Sequence, residues 1–105
     1  MKKTIILASI GLIAFTGSAQ LFAADGAALY ASKTCMACHG KDGKKGMLPT
    51  YPTLAGQSAA YAIQQMKDIK SGKRNNGSSA AMKGVMHMVN DDEIKAIAEW
   101  LEGVK

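Results

Sequence analysis

Residues 35–39 read Cys-Met-Ala-Cys-His, a C-x-x-C-H sequence that contains both cysteines of the chain. Two thiols three positions apart on a helical turn can reach the two vinyl groups of one porphyrin and form two thioethers. The next residue, His39, is then carried under the ring, where its imidazole can ligate iron. This pattern is typical of c-type haem attachment. It predicts one haem c per chain, bound covalently through Cys35 and Cys38.

Three other roles for the two cysteines fit the sequence less well. A thioredoxin-like redox pair requires a βαβ pattern around the C-x-x-C, and the chain shows no strand-like alternation. A structural zinc site normally needs four ligands, whereas Cys35, Cys38 and His87 provide only three obvious ones, and His39 directly adjoins Cys38. A disulfide between the two cysteines would close a very small loop and stabilise the chain little.

The beginning of the chain has the order of a secretory signal peptide. Positive charge precedes an almost unbroken apolar run over 4–15, and small residues follow. The run is shorter than the ~20 residues of a usual membrane-spanning helix. We therefore expect residues 1–23 to be a cleaved signal and residues 24–105 to form a single domain in the periplasm. A cut at residues 17–19 (Gly-Ser-Ala) and an uncleaved membrane anchor are the alternatives.

The 82 residues that follow the expected signal contain few large apolar side chains. Leu, Ile and Val make up about 13% of them, and both phenylalanines of the chain lie before them. An ordered core usually needs roughly 20% of such residues, and a chain this short buries only about 60% of its unfolded surface. Small domains of this kind depend on a staple or cofactor. We expect the porphyrin to supply the missing apolar area and the apoprotein to be largely unfolded.

Hydrophobic periodicity and capping residues predict helices joined by loops. The predicted elements are a helix over 26–34 capped by Asp25, an irregular Gly- and Pro-rich loop over 40–57, a helix over 59–71 capped by Ser58, a short helical piece over 80–88, and a last helix that begins after Asn90. Asn90 and Glu93 have the spacing of a capping box. Apolar residues then recur at helical spacing in the last helix, at Ile94, Ile97, Ala98 and Leu101.

With these elements in order, the chain resembles the class I bacterial cytochromes c, which are monohaem proteins with His/Met ligation. It is more narrowly similar to the single domains of dihaem periplasmic cytochromes c. Beside the haem motif, the resemblance is carried by 51–57 (YPTLAGQ), Tyr61, 72–74 (GKR), 82–85 (MKGV) and 92–94 (DEI). It implies an all-α fold of about four to five helices wrapped round one haem. The first and last helices should cross, with Tyr30 meeting Trp100 or Leu101.

The second axial ligand of the iron is left open by sequence spacing. A methionine thioether suits an electron-transfer iron, and His/Met ligation raises its reduction potential. The candidates are Met82, Met86, Met88 and His87, of which Met82 and Met86 share one face of a short helix because they are four residues apart. The resemblance favours Met82, the first residue of its segment, as the partner of His39. Met86 is the runner-up.

Further residues are expected around the haem. A ligating histidine normally donates its Nδ1–H to a carbonyl oxygen, and the resemblance points to the carbonyl of Pro49. Polar side chains that could hydrogen-bond the haem propionates are Gln57, Tyr61, Arg74 and Trp100.

The function that follows is electron transfer, by cycling one haem iron between its ferrous and ferric states. A six-coordinate iron leaves no position for a substrate, so neither catalytic residues nor a small-molecule substrate are expected. The alternative is a haem enzyme or gas-binding sensor whose sixth position is open or labile. A zinc- or thiol-binding module is a third reading.

Charge suggests the partners. The chain after residue 23 has a net charge near +3, and several lysines lie close to the segments that hold the haem: Lys33, Lys41, Lys44, Lys45 and Lys83. We expect them to ring its exposed edge and to steer an acidic redox partner protein. Weak docking to respiratory complexes at the membrane side is compatible with this charge. The pattern does not favour nucleic acid as a partner.

Overall fold

A computed structural model describes residues 25–105. This part of the chain has no strands and consists of five α-helices: α1 (Gly26–Ser32), α2 (Cys35–His39), α3 (Ala59–Ser71), α4 (Ser79–Met86) and α5 (Asp91–Glu102). The predicted all-α architecture with four to five helices is therefore confirmed. The expected signal, residues 1–23, lies outside the described residues. None of the described helices is long and apolar enough to cross a bilayer.

Local capping chemistry sets where the helices begin. The Asp25 side chain accepts the backbone N–H of Ala28 at 3.1 Å, and the Ser58 hydroxyl accepts that of Tyr61 at 3.2 Å. Asn90 and Glu93 form the predicted capping box at the start of α5. These caps satisfy backbone donors that have no partner within their own helices.

Two helix boundaries differ from the sequence prediction. The helix predicted over 26–34 ends at Ser32. The piece predicted over 80–88 runs from Ser79 to Met86. Thr34 adopts a left-handed conformation (φ 67°), and the haem motif follows it on a short helix of its own, α2.

Helix α5 forms the centre of the core. Its residues Ile94, Ile97, Ala98 and Leu101 are at most 2% exposed, and the helix packs against both α1 and α3. Burying each of the three large aliphatic side chains contributes about 1.5–3 kcal/mol. This face of α5 therefore holds together the elements before and after the haem motif.

The first and last described helices cross at close range, as predicted. The rings of Tyr30 and Trp100 have their centroids 5.1 Å apart at an angle of 47°. Gly26 allows this approach, since a Cβ there would overlap the carbonyl oxygen of Ala96 and the Cβ of Trp100. The crossing brings the start of α1 against the second half of α5.

Backbone hydrogen bonds order the loop over 40–57. The carbonyl oxygen of Gly43 accepts the N–H groups of Leu54 (2.8 Å) and Ala55 (3.1 Å), which closes the loop on itself. The N–H of Gly56 donates to the carbonyl oxygen of Leu101 at 2.8 Å and fastens the loop to α5. The loop thus becomes one wall of a cavity.

Candidate functional site

One cavity collects most of the residues that the sequence singles out. Its walls come from Tyr30 on α1, from α2, from the second half of the 40–57 loop, from one face of α3, from the start of α4 and from α5. The α3 face is made of Ala62, Gln65, Met66 and Ile69, which recur at helical spacing. The lining is mainly apolar, so the cavity suits a large hydrophobic group with a few polar contacts.

Both cysteines of the motif line this cavity, but in different surroundings. Cys35 is 9% exposed, whereas Cys38 is exposed to solvent. The two thiols are free and are not joined by a disulfide. Burial raises the pKa of Cys35 to about 11, which means that a charged thiolate is disfavoured there. A neutral sulfur, such as a thioether, suits this position.

His39 is held by the loop opposite its own helix. It is 5% exposed, and its Nδ1 lies 3.2 Å from the carbonyl oxygen of Pro52. A carbonyl oxygen can only accept, so the contact places the hydrogen on Nδ1 and leaves the Nε2 lone pair for a metal. Burial lowers the pKa of His39, which favours the neutral, ligating form.

The acceptor of His39 is therefore not the one predicted. Pro49 is exposed and does not line the cavity, whereas Pro52, three residues later, both lines it and accepts the hydrogen bond. The turn hydrogen bond from Tyr51 N–H to the Leu48 carbonyl (3.0 Å) reverses the chain after Pro49. This turn brings the later proline, and not the earlier one, against the imidazole.

The candidates for the second axial ligand separate clearly. Met82 is half-buried and lines the cavity. Met86, the runner-up, is 1% exposed and belongs to the core without lining the cavity. Met88 is 53% exposed, His87 is exposed as well, and neither lines the cavity. Among these four, only Met82 has access to the space that His39 adjoins.

Another methionine, which lies on α3 and is not one of these four candidates, also reaches the cavity. Met66 is 9% exposed and lies on the cavity-lining face of α3. It belongs to the buried hydrophobic core together with Ile69 of the same helix.

The polar candidates divide into those at the cavity and those away from it. Gln57, Tyr61 and Arg74 line it, as a propionate contact requires. Trp100 is not among the lining residues, and its ring contacts that of Tyr30. The cavity walls therefore support Gln57, Tyr61 and Arg74 more directly than Trp100.

Several polar residues of the cavity, Gln65 among them, were not singled out from the sequence. Gln65 lines it and accepts a hydrogen bond from Nη1 of Arg74 at 3.0 Å. Its spacing from Ala62 and Ile69 places it on the inward face of α3, so helical periodicity contained the signal. A glutamine is readily assigned to solvent, which is why the pattern alone did not reveal it.

The residues present fit a covalently bound haem. The donor set at the cavity comprises two free thiols in C-x-x-C spacing, an imidazole with a free Nε2 and a thioether sulfur, within a mainly apolar wall. Zinc fits poorly, because the described residues contain no group of three or more His, Cys, Asp or Glu side chains able to hold a metal ion. A thioredoxin-like arrangement is also incompatible with residues 25–105, which have no strand.

Comparison with known proteins agrees with this fit. The model of the family described as "Cytochrome c" matches residues 23–105. The chain belongs to the cytochrome c family. Its haem is therefore haem c, with iron, bound covalently to the chain.

Individual cytochromes c show how the similarity is distributed. Cytochrome c-553 of Nitratidesulfovibrio vulgaris is 33% identical over 101 residues, which cover 96% of this chain and 97% of the relative. Cytochrome c-554(548) of Halomonas halodenitrificans is 42% identical over 67 residues, or 64% of this chain and 80% of the relative. These relatives support an electron-transfer cytochrome c and do not favour a haem enzyme or gas sensor.

A solved structure shows the same fold. The crystal structure of reduced recombinant cytochrome c4 from Pseudomonas stutzeri superposes with a TM-score of 0.61 at 26% sequence identity. The superposition covers 79% of this chain and 52% of the other. This cytochrome c is thus similar to about half of a cytochrome c4, as the sequence resemblance to single domains of dihaem cytochromes predicts.

Proposed function

We propose that this cytochrome c is a periplasmic electron carrier whose haem is attached through Cys35 and Cys38 and whose iron is ligated by His39 and Met82. The haem, when bound, supplies the one-electron exchange between ferrous and ferric iron. The chain supplies the two iron ligands, the apolar surroundings of the haem and the surface at which a redox partner approaches it. No residue is assigned a catalytic role, and no small-molecule substrate is proposed.

The observation that carries the proposal is the position of Met82 among its competitors. It lines the cavity that also receives His39 and both cysteines, whereas Met86 is buried in the core and Met88 faces solvent. A ligand must reach the iron from inside this cavity. Met66 lines the same cavity from the buried core, and Met82 is the one of the two that begins the segment carrying the resemblance.

The chain's other contribution is to hold the imidazole in one orientation. The Pro52 carbonyl accepts the Nδ1–H of His39, and such a contact makes a ligating histidine more electron-rich and fixes its ring plane. The Gly43 carbonyl, bound by Leu54 and Ala55, in turn orders the loop that carries Pro52. Successive backbone contacts therefore hold the His39 imidazole in position before any electron is transferred.

Electron exchange is expected where the cavity meets the surface. Cys38 and Tyr61 are both exposed and both line the cavity, so a partner approaching there comes nearest to the haem. The neighbouring loop presents exposed Lys41, Lys44 and Lys45. These charges favour an acidic redox protein, and the same surface suits weak docking to respiratory complexes at the membrane side. Nothing in it favours nucleic acid.

One lysine of the expected ring has a different task. The Lys33 ammonium donates to the Met88 carbonyl at 2.9 Å and lies 3.4 Å from the Glu93 carboxylate. It is therefore engaged within the molecule. The proposed docking surface comprises the three exposed loop lysines, Lys41, Lys44 (3.8 Å from the Asp42 carboxylate) and Lys45, whereas Lys83 is half-buried on α4.

Export is part of the proposal. Residues 1–23 have the order of a signal peptide, and covalent haem attachment of this type occurs outside the bacterial cytoplasm. We expect the mature protein to begin at Ala24 and to be recovered from the periplasm. Intact-mass measurement of the purified holoprotein checks the cleavage site and the mass of one haem together.

The iron ligands are tested by spectroscopy of the ferric holoprotein. Methionine ligation gives a weak near-infrared charge-transfer band, which Met82→Ala should abolish while lowering the reduction potential and admitting cyanide. Met86→Ala and Met66→Ala are matched controls that should keep the band. Survival of the band in Met82→Ala and its loss in Met86→Ala would move the ligand one turn along α4. Loss in Met66→Ala alone would move the ligand to α3. Rapid cyanide or carbon monoxide uptake by the unaltered protein would contradict a closed sixth position.

A further inference from the structure

Two lysine side chains converge on consecutive backbone carbonyls in the turn between α4 and α5. The Lys33 ammonium, just after α1, donates to the Met88 carbonyl at 2.9 Å, and the Lys70 ammonium, in the last turn of α3, donates to the Val89 carbonyl. We call this pair of contacts the lysine clamp. The two lysines lie 55 and 19 residues from their acceptors in sequence, so the clamp ties one turn to two distant helices.

Both lysines are more buried than is usual for their type. Most lysines are exposed, because fixing the long side chain costs rotamer entropy. The side chain of Lys33 is only 26% exposed, and Lys70 is half-buried. Their acceptors, the carbonyls of Met88 and Val89, lie two and three residues past the end of α4 at Met86. The clamp therefore places two cations close to the C-terminal end of α4, where the helix dipole favours positive charge.

Besides the clamp, α4 and the turn after it are held by Met86 and Val89, which are each 1% exposed in the hydrophobic core. The N-cap residue of α4, Ser78, makes no capping hydrogen bond with its side chain. Among the described helices, α4 has extensive contacts only with α3. The clamp adds polar contacts from this turn to Lys33, just after α1, and to Lys70 at the end of α3.

We propose that Lys33 and Lys70 are positioning residues that keep the methionine segment, residues 79–89, closed over the iron. This inference rests on the proposed ligation by Met82. A thioether is a soft ligand and holds the harder ferric ion weakly, so its retention depends on how firmly the backbone returns the sulfur to the metal. The clamp acts through Met82 and does not touch the haem itself.

The test measures opening of the sixth position in the ferric holoprotein. Lys70→Met and Lys33→Met each remove one ammonium while keeping an unbranched, apolar side chain of similar length. We expect cyanide to bind about tenfold faster in either variant, because a tenfold larger open population corresponds to about 1.4 kcal/mol of lost restraint. The double variant should be faster than either. Lys70→Arg, which retains a cationic donor, should restore the slow rate.

The matched control is Lys67→Met. Lys67 lies on the same helix, is exposed and forms no side-chain hydrogen bond or ion pair with the described residues. The Lys67→Met substitution removes the same charge, and the rate at which this variant binds cyanide should equal that of the unaltered protein. Cyanide rates in Lys70→Met and Lys33→Met that both match the Lys67→Met rate would overturn the proposal.

A second measurement separates positioning from general stability. Heating should abolish the near-infrared band of Lys70→Met at a lower temperature than in the unaltered protein, while the helical circular dichroism is still intact. A band and a helical signal lost together, shifted by the same number of degrees, would show a merely structural lysine and refute the clamp. Retention of the band in Met82→Ala would instead refute the proposed ligation, so the two failures are distinguishable.

Discussion

The hydroxyl of Tyr30 donates to the carbonyl oxygen of Gly40 at 2.6 Å, across the haem motif that separates the two residues in sequence. Tyr30 is 1% exposed, lines the cavity and rests on Trp100. Its ring thus serves the helix crossing, while its hydroxyl secures the end of α2 immediately after His39. The same side chain joins the core to the haem-binding turn.

Removing this hydroxyl should destabilise the holoprotein. Tyr30→Phe keeps the ring contact but leaves the part-buried Gly40 carbonyl without its donor, which costs about 1–3 kcal/mol. Burial raises the pKa of Tyr30 to about 12, so the effect should persist through neutral and mildly alkaline pH. Denaturant unfolding of the holoprotein measures it. Ser32→Ala, which removes an exposed hydroxyl of α1 away from the cavity, is the control and should change the stability little; equal losses in both variants would contradict the assigned role.

Two glycine-to-alanine substitutions should change the stability of the holoprotein in opposite directions. Gly26→Ala introduces a Cβ that overlaps the Ala96 carbonyl oxygen, so α1 must move away from α5 and the holoprotein should be less stable. Gly84→Ala lies within α4, where the added Cβ meets nothing within 4 Å, and it should stabilise by about 0.5–1 kcal/mol because alanine is the better helix former. Thermal unfolding of the two variants side by side checks this. Destabilisation by Gly84→Ala would indicate that space at this position is needed.

The capping box predicts a pH dependence at the start of α5. The backbone N–H of Asn90 donates to the Glu93 carboxylate at 3.0 Å and, with Lys33 and Lys70 nearby, holds the pKa of that carboxyl below its usual range. This contribution is complete above the unfolded-state pKa, about 4.3, and is lost as the pH falls through the lower folded-state value. Glu93→Gln should therefore be less stable than the unaltered protein near pH 7.

The difference between the two proteins should shrink as the pH falls below about 4. Denaturant unfolding at several pH values measures it, with Glu102→Gln at the exposed end of α5 as control. Since glutamine can still accept a hydrogen bond at this position, the substitution isolates the charge. A difference that stays constant from neutral to acidic pH would contradict an ionic contribution of Glu93.

Electron exchange with an acidic protein partner should depend on salt. The exposed lysines at 41, 44 and 45 attract such a partner over a distance that shortens from roughly 30 to 6 Å between ~10 and 300 mM salt. The bimolecular rate should fall over this range, and replacing the three lysines by glutamine should flatten the dependence. Lys95→Gln on α5 is a single-charge control away from the loop. A bimolecular rate that does not vary with salt in the unaltered protein would contradict the proposed docking surface.

The haem-free chain should lack a stable fold. Replacing both motif cysteines, Cys35→Ser with Cys38→Ser, removes the covalent anchors of the haem. Without the porphyrin, the apolar cavity wall is no longer buried, and burial contributes roughly 25 cal/mol per Å². Far-ultraviolet circular dichroism of this variant should show little helix beside that of the holoprotein. A cooperative thermal transition in the haem-free variant would contradict the expectation.

Much of the fold follows from local chemistry and could be predicted. The α3 boundaries agree because Ser58 caps its start and Gly72 adopts the left-handed conformation at its end. The α5 capping box and its buried face agree for the same reason, since each depends on residues within one turn. The left-handed turn at Thr34, which separates α1 from α2, was not predicted, because a threonine gives no sequence signal for positive φ.

The sequence by itself determined the haem, the family and the helical order, because the C-x-x-C-H spacing, the caps and the helical periodicities are short-range features. The resemblance already favoured Met82, but only the tertiary structure shows that Met82 lines the cavity while Met86 lies in the core, since helical spacing does not separate two residues on one face. The tertiary structure likewise replaced Pro49 by Pro52 as the acceptor of His39, because the turn between them sets which carbonyl meets the ring. Lys33, which charge alone assigns to docking, is bound by a carbonyl 55 residues away, and no local pattern encodes such a contact.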